Sequence, residues 1–182
     1  LTGDLLAVLK SLQAQGRGPL FLVGYSLGGN VVLKLAGELG SHAHGLLTGV
    51  CAVSTPIDLH ACVRAIGKRS NWIYEQRFVK RLCERYLRKH AAAPDRFPVD
   101  GIERVRTIYE FDDLCTARAF GFGDAATYYR TQSSLRFLHG IRVAAAARNY
   151  DILLSYVAPD EPVVNFANIV KENTANPRML IV

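Results

Sequence analysis

The sequence is poor in the features that mark several common classes of protein. Glycine and proline together account for 22 of its 182 residues, too few for a collagen-like or low-complexity chain. No apolar run reaches the roughly 18 residues that a membrane-spanning helix needs. The four cysteines form no CxxC pair, which argues against a zinc site or a disulfide framework: Cys51, Cys62, Cys83 and Cys115. What remains is a globular domain whose apolar fraction of 49% suffices for a buried core, and we expect it to need neither metal nor cofactor.

Positive charge is plentiful but concentrated in one stretch. The chain has a net charge of +6, and residues 64–106 alone hold twelve Lys or Arg against five Asp or Glu. Such a run is typical of a solvated helix face, or of a surface attracted to an anionic membrane. No nucleic-acid-binding motif accompanies the charge, so we expect no nucleic-acid partner. A cytoplasmic or membrane-associated location fits both interpretations.

The first third of the chain has a strand–helix–strand pattern. The apolar runs at residues 19–23 and 46–53 have the length and lack of alternation of strands buried on both faces. Between them, residues 30–39 have apolar side chains at helical spacing. Such a βαβ unit implies a parallel sheet with helices packed on its faces, which places the chain in the α/β class. Later patterns predict two more strands with a helix between them, at residues 152–157, 165–172 and 179–182.

The middle of the chain differs in character from both ends. From residue 57 to residue 138, basic and aromatic residues recur at helical spacing and no strand pattern appears. This stretch is too long for an ordinary crossover between parallel strands, so it predicts a helical insertion, a lid or cap over the sheet. The chain then divides into a core segment at 1–56, the lid at 57–138 and a second core segment at 139–182.

The sharpest motif is Gly24-Tyr25-Ser26-Leu27-Gly28, which matches G-x-S-x-G and lies between the first predicted strand and the helix after it. In that setting the serine occupies a tight, strained turn, with its hydroxyl above the sheet edge at the positive end of the helix dipole. Glycine at positions 24 and 28 is expected to let strand and helix approach without a Cβ clash. The motif predicts that Ser26 is a nucleophile and that the Leu27 N–H supplies half of an oxyanion hole.

Longer stretches resemble one protein family. Four segments are similar to α/β-hydrolases of the YheT type and their ABHD-type lipase and embryogenesis-associated relatives: GYSLGGN (24–30), AVSTPIDL (52–59), EFDDLCTAR (110–118) and GFGDAATYYR (121–130). The resemblance implies an α/β-hydrolase fold, here a partial parallel sheet with flanking helices and a helical lid insertion. It also implies a serine carboxylic-ester hydrolase whose substrate is a small-molecule acyl ester or a lipid.

The lid of such an enzyme would have two kinds of surface. Its Lys and Arg side chains are expected to face solvent or a lipid surface. Its apolar side chains at helical spacing are expected to line an acyl pocket: Trp72, Ile73, Phe78, Val79, Leu82, Tyr86 and Leu87.

The acid of a Ser–acid–His mechanism is expected late in the chain. The order in this fold is serine, acid, histidine, and the resemblance places the acid at Asp160 or Glu161, which the sequence does not separate. Asp58, which follows the second predicted strand, is a reserve candidate. Asp112 and Asp113 are expected to be structural, capping a helix start and meeting the basic lid.

No histidine follows the predicted acid. All five precede residue 140: His42, His44, His60, His90 and His139. We therefore expect the base of the triad to lie beyond Val182, and we interpret a chain that begins at Leu1 as an internal piece of a longer protein. Two alternatives stay open, a catalytically inactive hydrolase-like protein with a binding role, and an acyltransferase that makes esters from an alcohol.

Overall fold

A computed structural model describes residues 2–138, 140, 153–154 and 180–181. The helix predicted at residues 165–172 lies outside the described residues, as do Asp160 and Glu161. The chain divides into two compact units, one made of Leu1–Ile57 with Ser134–Val182 and the other of Asp58–Ser133.

The first unit is built around a parallel sheet. Its helices and strands, in chain order, are α1 (Thr2–Ala14), β1 (Phe21–Tyr25), α2 (Leu27–Leu39), β2 (Gly49–Val53), β3 (Leu153–Leu154) and β4 (Leu180–Ile181), with a 3-10 helix at Gly40–Gly45. The strand order is β1-β2-β4-β3, and every pair is parallel. The β1–α2–β2 segment is the predicted βαβ unit, which confirms the α/β class.

The core of this unit lies between α2 and β2. Val32 and Leu33 of α2 pack with Val50 and Ala52 of β2, and all four are buried. Burying a leucine side chain fully stabilises a fold by about 1.5–3 kcal/mol, so truncating Leu33 to alanine would cost about 2–5 kcal/mol once the cavity is included. This packing fixes the start of α2 against the end of β1.

The other face of β1 is open. Phe21, Val23 and Tyr25 alternate along the strand and are exposed, whereas Leu22 joins the core on the α2 side. The prediction of a strand buried on both faces is therefore wrong for the described part of this unit. The reason is that α2 covers one face and no other described element of the unit packs on the opposite one.

The second unit is helical. Its elements are α3 (Leu59–Ile66), α4 (Trp72–Ala92), α5 (Ile108–Phe111), a π-helical turn (Asp112–Thr116), α6 (Ala117–Ala119) and α7 (Ala125–Gln132), with 3-10 turns at Arg69–Asn71, Pro94–Arg96 and Ile102–Arg104. All of its residues are described, and none forms a strand. Its role as a lid stays a prediction.

Helix α4 buries one face in a core of the second unit. Val79 and Tyr86 are buried there, and the Tyr86 ring meets the rings of Phe97 and Phe111 edge-on at 5.7 and 5.8 Å. Leu82 is partly buried against the same cluster. The remaining apolar residues expected to line a pocket are exposed: Trp72, Ile73, Phe78 and Leu87. The seven residues do not share one face, because three of them form the unit's own core.

No helix in the described part of the chain is both long enough and apolar enough to cross a membrane.

Candidate active site

Ser26 lies at the turn between β1 and α2, with a strained backbone. Its φ of 51° and ψ of −125° are sparsely populated by non-glycine residues, and such a conformation costs of order 1–3 kcal/mol. Hydrogen bonds on both sides hold it. The Ser26 N–H donates to the Val53 carbonyl at 2.9 Å, and the Ser26 carbonyl accepts from the N–H groups of Gly29 at 2.9 Å and Asn30 at 3.3 Å.

The side chain of Ser26 is open to solvent. The residue is exposed, and its hydroxyl makes no hydrogen bond to any described residue. A strand-to-helix turn with these dihedrals therefore presents the hydroxyl at the carboxyl edge of a parallel sheet, where α/β proteins bind their ligands.

Two glycines make the turn sterically feasible, and they are not the two that the motif suggests. A Cβ on Gly24 would lie 2.4 Å from the Gly28 carbonyl oxygen, and one on Gly29 would lie 1.9 Å from Thr55 Oγ1. A Cβ on Gly28 would meet nothing within 4 Å. The expectation of a steric role for Gly28 is therefore wrong, because it is the Gly28 backbone that approaches Gly24. Gly29 follows the motif directly, but its steric role depends on the contact with Thr55, which the motif does not indicate.

Leu27 is the first residue of α2, and its N–H is one of the donors that have no acceptor within a helix. Among the described residues no other group accepts from it. The donor lies at the positive end of a 13-residue helix, one residue after the serine. It is available to an anionic oxygen bound beside Ser26.

Asn30, which the sequence did not single out, anchors the first turn of α2. The residue is only 2% exposed, and its Oδ1 accepts from the Ser134 N–H at 2.8 Å. This bond joins α2 to the point where the chain re-enters the first unit at Ser134. In the sequence, Asn30 could have been identified as a polar residue among the apolar positions of a helix turn that is expected to be buried.

The carboxyl end of β2 is also strained and tightly packed. Ser54, directly after the strand, has a φ of 50° and is exposed. Thr55 Oγ1 lies against Gly29 and is buried with no hydrogen-bond partner in the described part of the chain. The first turn of α2 and the segment after β2 thus constrain each other sterically.

The acid and base of a triad are not assembled by the described residues. Asp160 and Glu161 lie outside them, as does His139. The carboxylate of Asp58 caps α3 by accepting from the Ala61 N–H at 3.0 Å, which accounts for an aspartate at this position without a catalytic role. His42 is exposed, and His90 Nδ1 is 2.8 Å from the Phe97 carbonyl oxygen.

Asp112 and Asp113 have separate structural roles in the second unit. Asp113 accepts from the Ala125 N–H at 2.8 Å, at the first residue of α7, as a capping acid does. Asp112 is instead turned inward, where it accepts from the Tyr129 hydroxyl at 2.7 Å, and burial raises the pKa of its carboxyl despite bonds from Tyr129 and Thr116. Neither forms an ion pair within the described residues, so the expected contact with basic side chains is not found.

The cysteines are not competing nucleophiles. All four are free, and burial raises the pKa of every thiol, that of Cys115 to about 12. A thiol with a raised pKa stays protonated at neutral pH and reacts slowly. Within the described residues, no three His, Cys, Asp or Glu side chains are grouped to hold a metal ion.

Several proteins are similar to this chain over most of its length. YheT of Escherichia coli, whose name describes an esterase, is 33% identical over 181 residues, which is 98% of this chain and 50% of YheT. The monoacylglycerol lipase of Saccharomyces cerevisiae is 27% identical over 169 residues, covering 88% of this chain and 35% of the lipase. The phospholipase ABHD3 of Mus musculus is 26% identical over 150 residues, 81% of this chain and 36% of the phospholipase.

The chain spans half of YheT and about a third of the other two relatives. No protein-family model matches it, and no solved structure matches it significantly. These relatives are of the kind that the four motif segments of this chain resemble. This chain is thus similar, over most of its length, to α/β-hydrolases of the YheT and ABHD type.

Proposed function

We propose that the protein containing this chain is a serine carboxylic-ester hydrolase that acts on acyl esters or lipids. The observation that carries the proposal is the backbone of Ser26, a non-glycine residue with φ 51° between a parallel strand and a helix. Strain of this size persists only where the surrounding structure enforces it, and it is frequent at catalytic residues. The names of the relatives, an esterase, a monoacylglycerol lipase and a phospholipase, support ester substrates.

In the proposed mechanism, Ser26 Oγ attacks the carbonyl carbon of the ester while a histidine takes the hydroxyl proton. The resulting oxyanion is stabilised by the Leu27 N–H and a second donor, and the histidine then protonates the leaving alcohol as the C–O bond breaks. Water repeats the sequence on the acyl-serine and releases the acid. Asp160 or Glu161 would orient the histidine, which is expected beyond Val182.

The histidine and the oxyanion-hole donor are each expected to contribute a large factor to the rate of hydrolysis. General acid–base catalysis by a positioned histidine accelerates such a step by about 10²- to 10⁴-fold. One oxyanion-hole donor contributes about 10²- to 10³-fold. The 182-residue chain, which has no histidine after His139, is therefore expected to be nearly inactive, while the full-length protein is active.

The test is hydrolysis of p-nitrophenyl acetate and octanoate by the full-length protein, its Ser26→Ala variant and the isolated 182-residue chain. We expect Ser26→Ala to reduce kcat/KM by at least about 10³-fold. Ser54→Ala is the matched control, since it removes the hydroxyl at the neighbouring strand end. Hydrolysis that survives Ser26→Ala would show that another group is the nucleophile. Product analysis with ethanol competing against water would separate hydrolysis from acyl transfer.

A further inference from the structure

The first seven residues of α4 include four large apolar side chains that are exposed. Trp72, Ile73 and Tyr74 are 60%, 67% and 58% exposed, and Phe78 lies one turn further, with its ring centroid 6.0 Å from that of Tyr74. We call these four residues the α4 patch. They lie in the first two turns of the helix, while Glu75 between them and Val79 directly after them are buried. At about 100° per residue, Ile73, Tyr74 and Phe78 lie on one exposed side of α4, and exposed apolar side chains grouped in this way mark a site of interaction.

Cations lie on both sides of the α4 patch along the chain. Five exposed basic residues lie before, within or just after it, and we call them the flanking cations: Lys68, Arg69, Arg77, Lys80 and Arg81. None of the five forms an ion pair within the described residues, where the ion pairs are Lys34–Glu38 and Arg104–Glu103. Unpaired cations around an apolar cluster produce a positive potential at the surface that a partner would meet.

The acid nearest to the α4 patch does not neutralise it. Glu75 is buried, and its Oε1 accepts from the Ile108 N–H at 3.2 Å inside the second unit. The Glu75 carboxylate therefore bonds to the start of α5, on the side of α4 that faces the core. Glu84, more than a turn beyond Phe78, is the one exposed acid of this fully described helix.

We propose that the α4 patch docks on the surface of an anionic lipid bilayer. Tryptophan and tyrosine prefer the membrane–water interface, because the ring is apolar while the N–H or O–H stays hydrated. Basic side chains beside them reach the phosphates and carboxylates of anionic headgroups, each strengthening partitioning by about fivefold. An uncharged apolar groove on another protein would satisfy the four apolar residues but leave five cations without counter-charges.

This docking is a partner interaction of the second unit and does not depend on Ser26. It would bring the protein to the interface where water-insoluble acyl esters are found, and only that consequence rests on the proposed function. The binding experiment is therefore made on full-length protein carrying Ser26→Ala, so that lipid turnover cannot affect the result. Failure to bind vesicles would leave the esterase proposal intact, and loss of the esterase proposal would leave the membrane-docking proposal intact.

The test is flotation with vesicles of phosphatidylcholine alone and with about 30% phosphatidylserine added. We expect binding to the anionic vesicles only, weakened by salt at about 0.5 M, where the Debye length is near 4 Å. Trp72→Ser with Ile73→Ser should weaken binding by at least about tenfold. Arg77→Ser with Arg81→Ser should weaken it by about 20-fold.

The controls use the same chemistry away from the α4 patch. Leu87→Ser removes an exposed apolar residue from the same helix, and Arg104→Ser removes a cation paired with Glu103; both are expected to bind like the parent. The part of the tryptophan quenching by brominated lipid that is lost in Trp72→Phe would place Trp72 in the interface. Equal binding to neutral vesicles, unchanged binding of the Trp72 and Ile73 variant, or capture by a nucleic-acid oligomer but not by vesicles would overturn the proposal.

Discussion

Ser26 and Ser54 lie side by side at the carboxyl ends of two paired parallel strands, and both have a positive φ. Tyr25 and Val53, the residues just before them, are register partners, and the two φ angles are 51° and 50°. A hydrogen bond from the Ser26 N–H to the Val53 carbonyl joins the two strand ends. Two adjacent strained residues form the edge of the sheet at which the proposed chemistry takes place.

Substitutions at Ser54 should separate its backbone strain from its side chain. Glycine adopts a positive φ without a steric penalty, so Ser54→Gly should leave the free energy of unfolding unchanged or slightly raised. A β-branched residue is disfavoured there, so Ser54→Val should lower it by about 1–3 kcal/mol. Urea unfolding of the full-length protein measures both. A Ser54→Val variant as stable as the parent would contradict the positive φ at this position.

Substitution by alanine should have different effects at Gly24 and at Gly28. Gly24→Ala places a Cβ 2.4 Å from the backbone oxygen of Gly28, which cannot move without displacing α2, so we expect a loss above about 3 kcal/mol or failure to fold. Gly28→Ala meets open space and adds a better helix former, so it should be neutral or stabilising by up to about 1 kcal/mol. Thermal unfolding followed by circular dichroism distinguishes them. The same Tm for both variants would be incompatible with the packing described.

Gly29→Ala should be destabilising through Thr55, since the new Cβ would lie 1.9 Å from Thr55 Oγ1. Adding Thr55→Ala removes that atom, which has no hydrogen-bond partner among the residues described. We therefore expect the double variant to recover part of the lost stability, a positive coupling in a double-mutant cycle. Additive effects of the two substitutions would mean that the contact does not limit residue 29.

The strand–helix–strand order and the place of Ser26 could be predicted because both are local. Run length, apolar spacing and a five-residue motif specify β1, α2, β2 and the turn between the first two. The open face of β1 was not predictable, because burial depends on which elements pack on the sheet. The steric role of Gly29 also needed the structure, since it depends on Thr55, which is distant in sequence.

In the second unit, too, the burial of individual side chains could not be predicted from the sequence. Helical spacing predicted its helices, yet it could not separate Val79 and Tyr86, which are buried, from Trp72 and Ile73, which are exposed. Asp112 was expected at a helix start, but it is partly buried and bonded to Tyr129, seventeen residues later in the chain. Such contacts depend on how helices pack, which a periodicity does not encode.

Asp112 should give the protein a pH-dependent stability of known sign. Burial raises the pKa of its carboxyl, so the folded state holds the proton more tightly than the unfolded state. This contribution is complete below the ordinary pKa of aspartate, near 4, and is lost as pH rises through the folded value. Asp112→Asn should therefore reduce the fall in unfolding free energy between about pH 4 and pH 7. An identical pH profile for parent and variant would show that Asp112 titrates normally.

Tyr129→Phe should measure the hydrogen bond between Tyr129 and Asp112 by removing its donor. It removes the hydroxyl that donates to Asp112 at 2.7 Å and leaves a partly buried carboxylate with one donor fewer. We expect a loss of about 1–3 kcal/mol at pH 7, and a smaller loss at about pH 4, where a larger fraction of Asp112 is protonated. Denaturant titrations at the two pH values give the comparison, and a loss independent of pH would assign the effect to ring packing alone.

Labelling with a fluorophosphonate tests the central claim most directly. Such a probe phosphonylates only a serine whose hydroxyl is activated by a base, and peptide mass spectrometry identifies the modified residue. The full-length protein is predicted to carry one adduct on Ser26 and none on Ser54, and Ser26→Ala is predicted to carry none. An active protein with its adduct on any other serine, or with an unmodified Ser26, would contradict the assignment of Ser26 as the nucleophile.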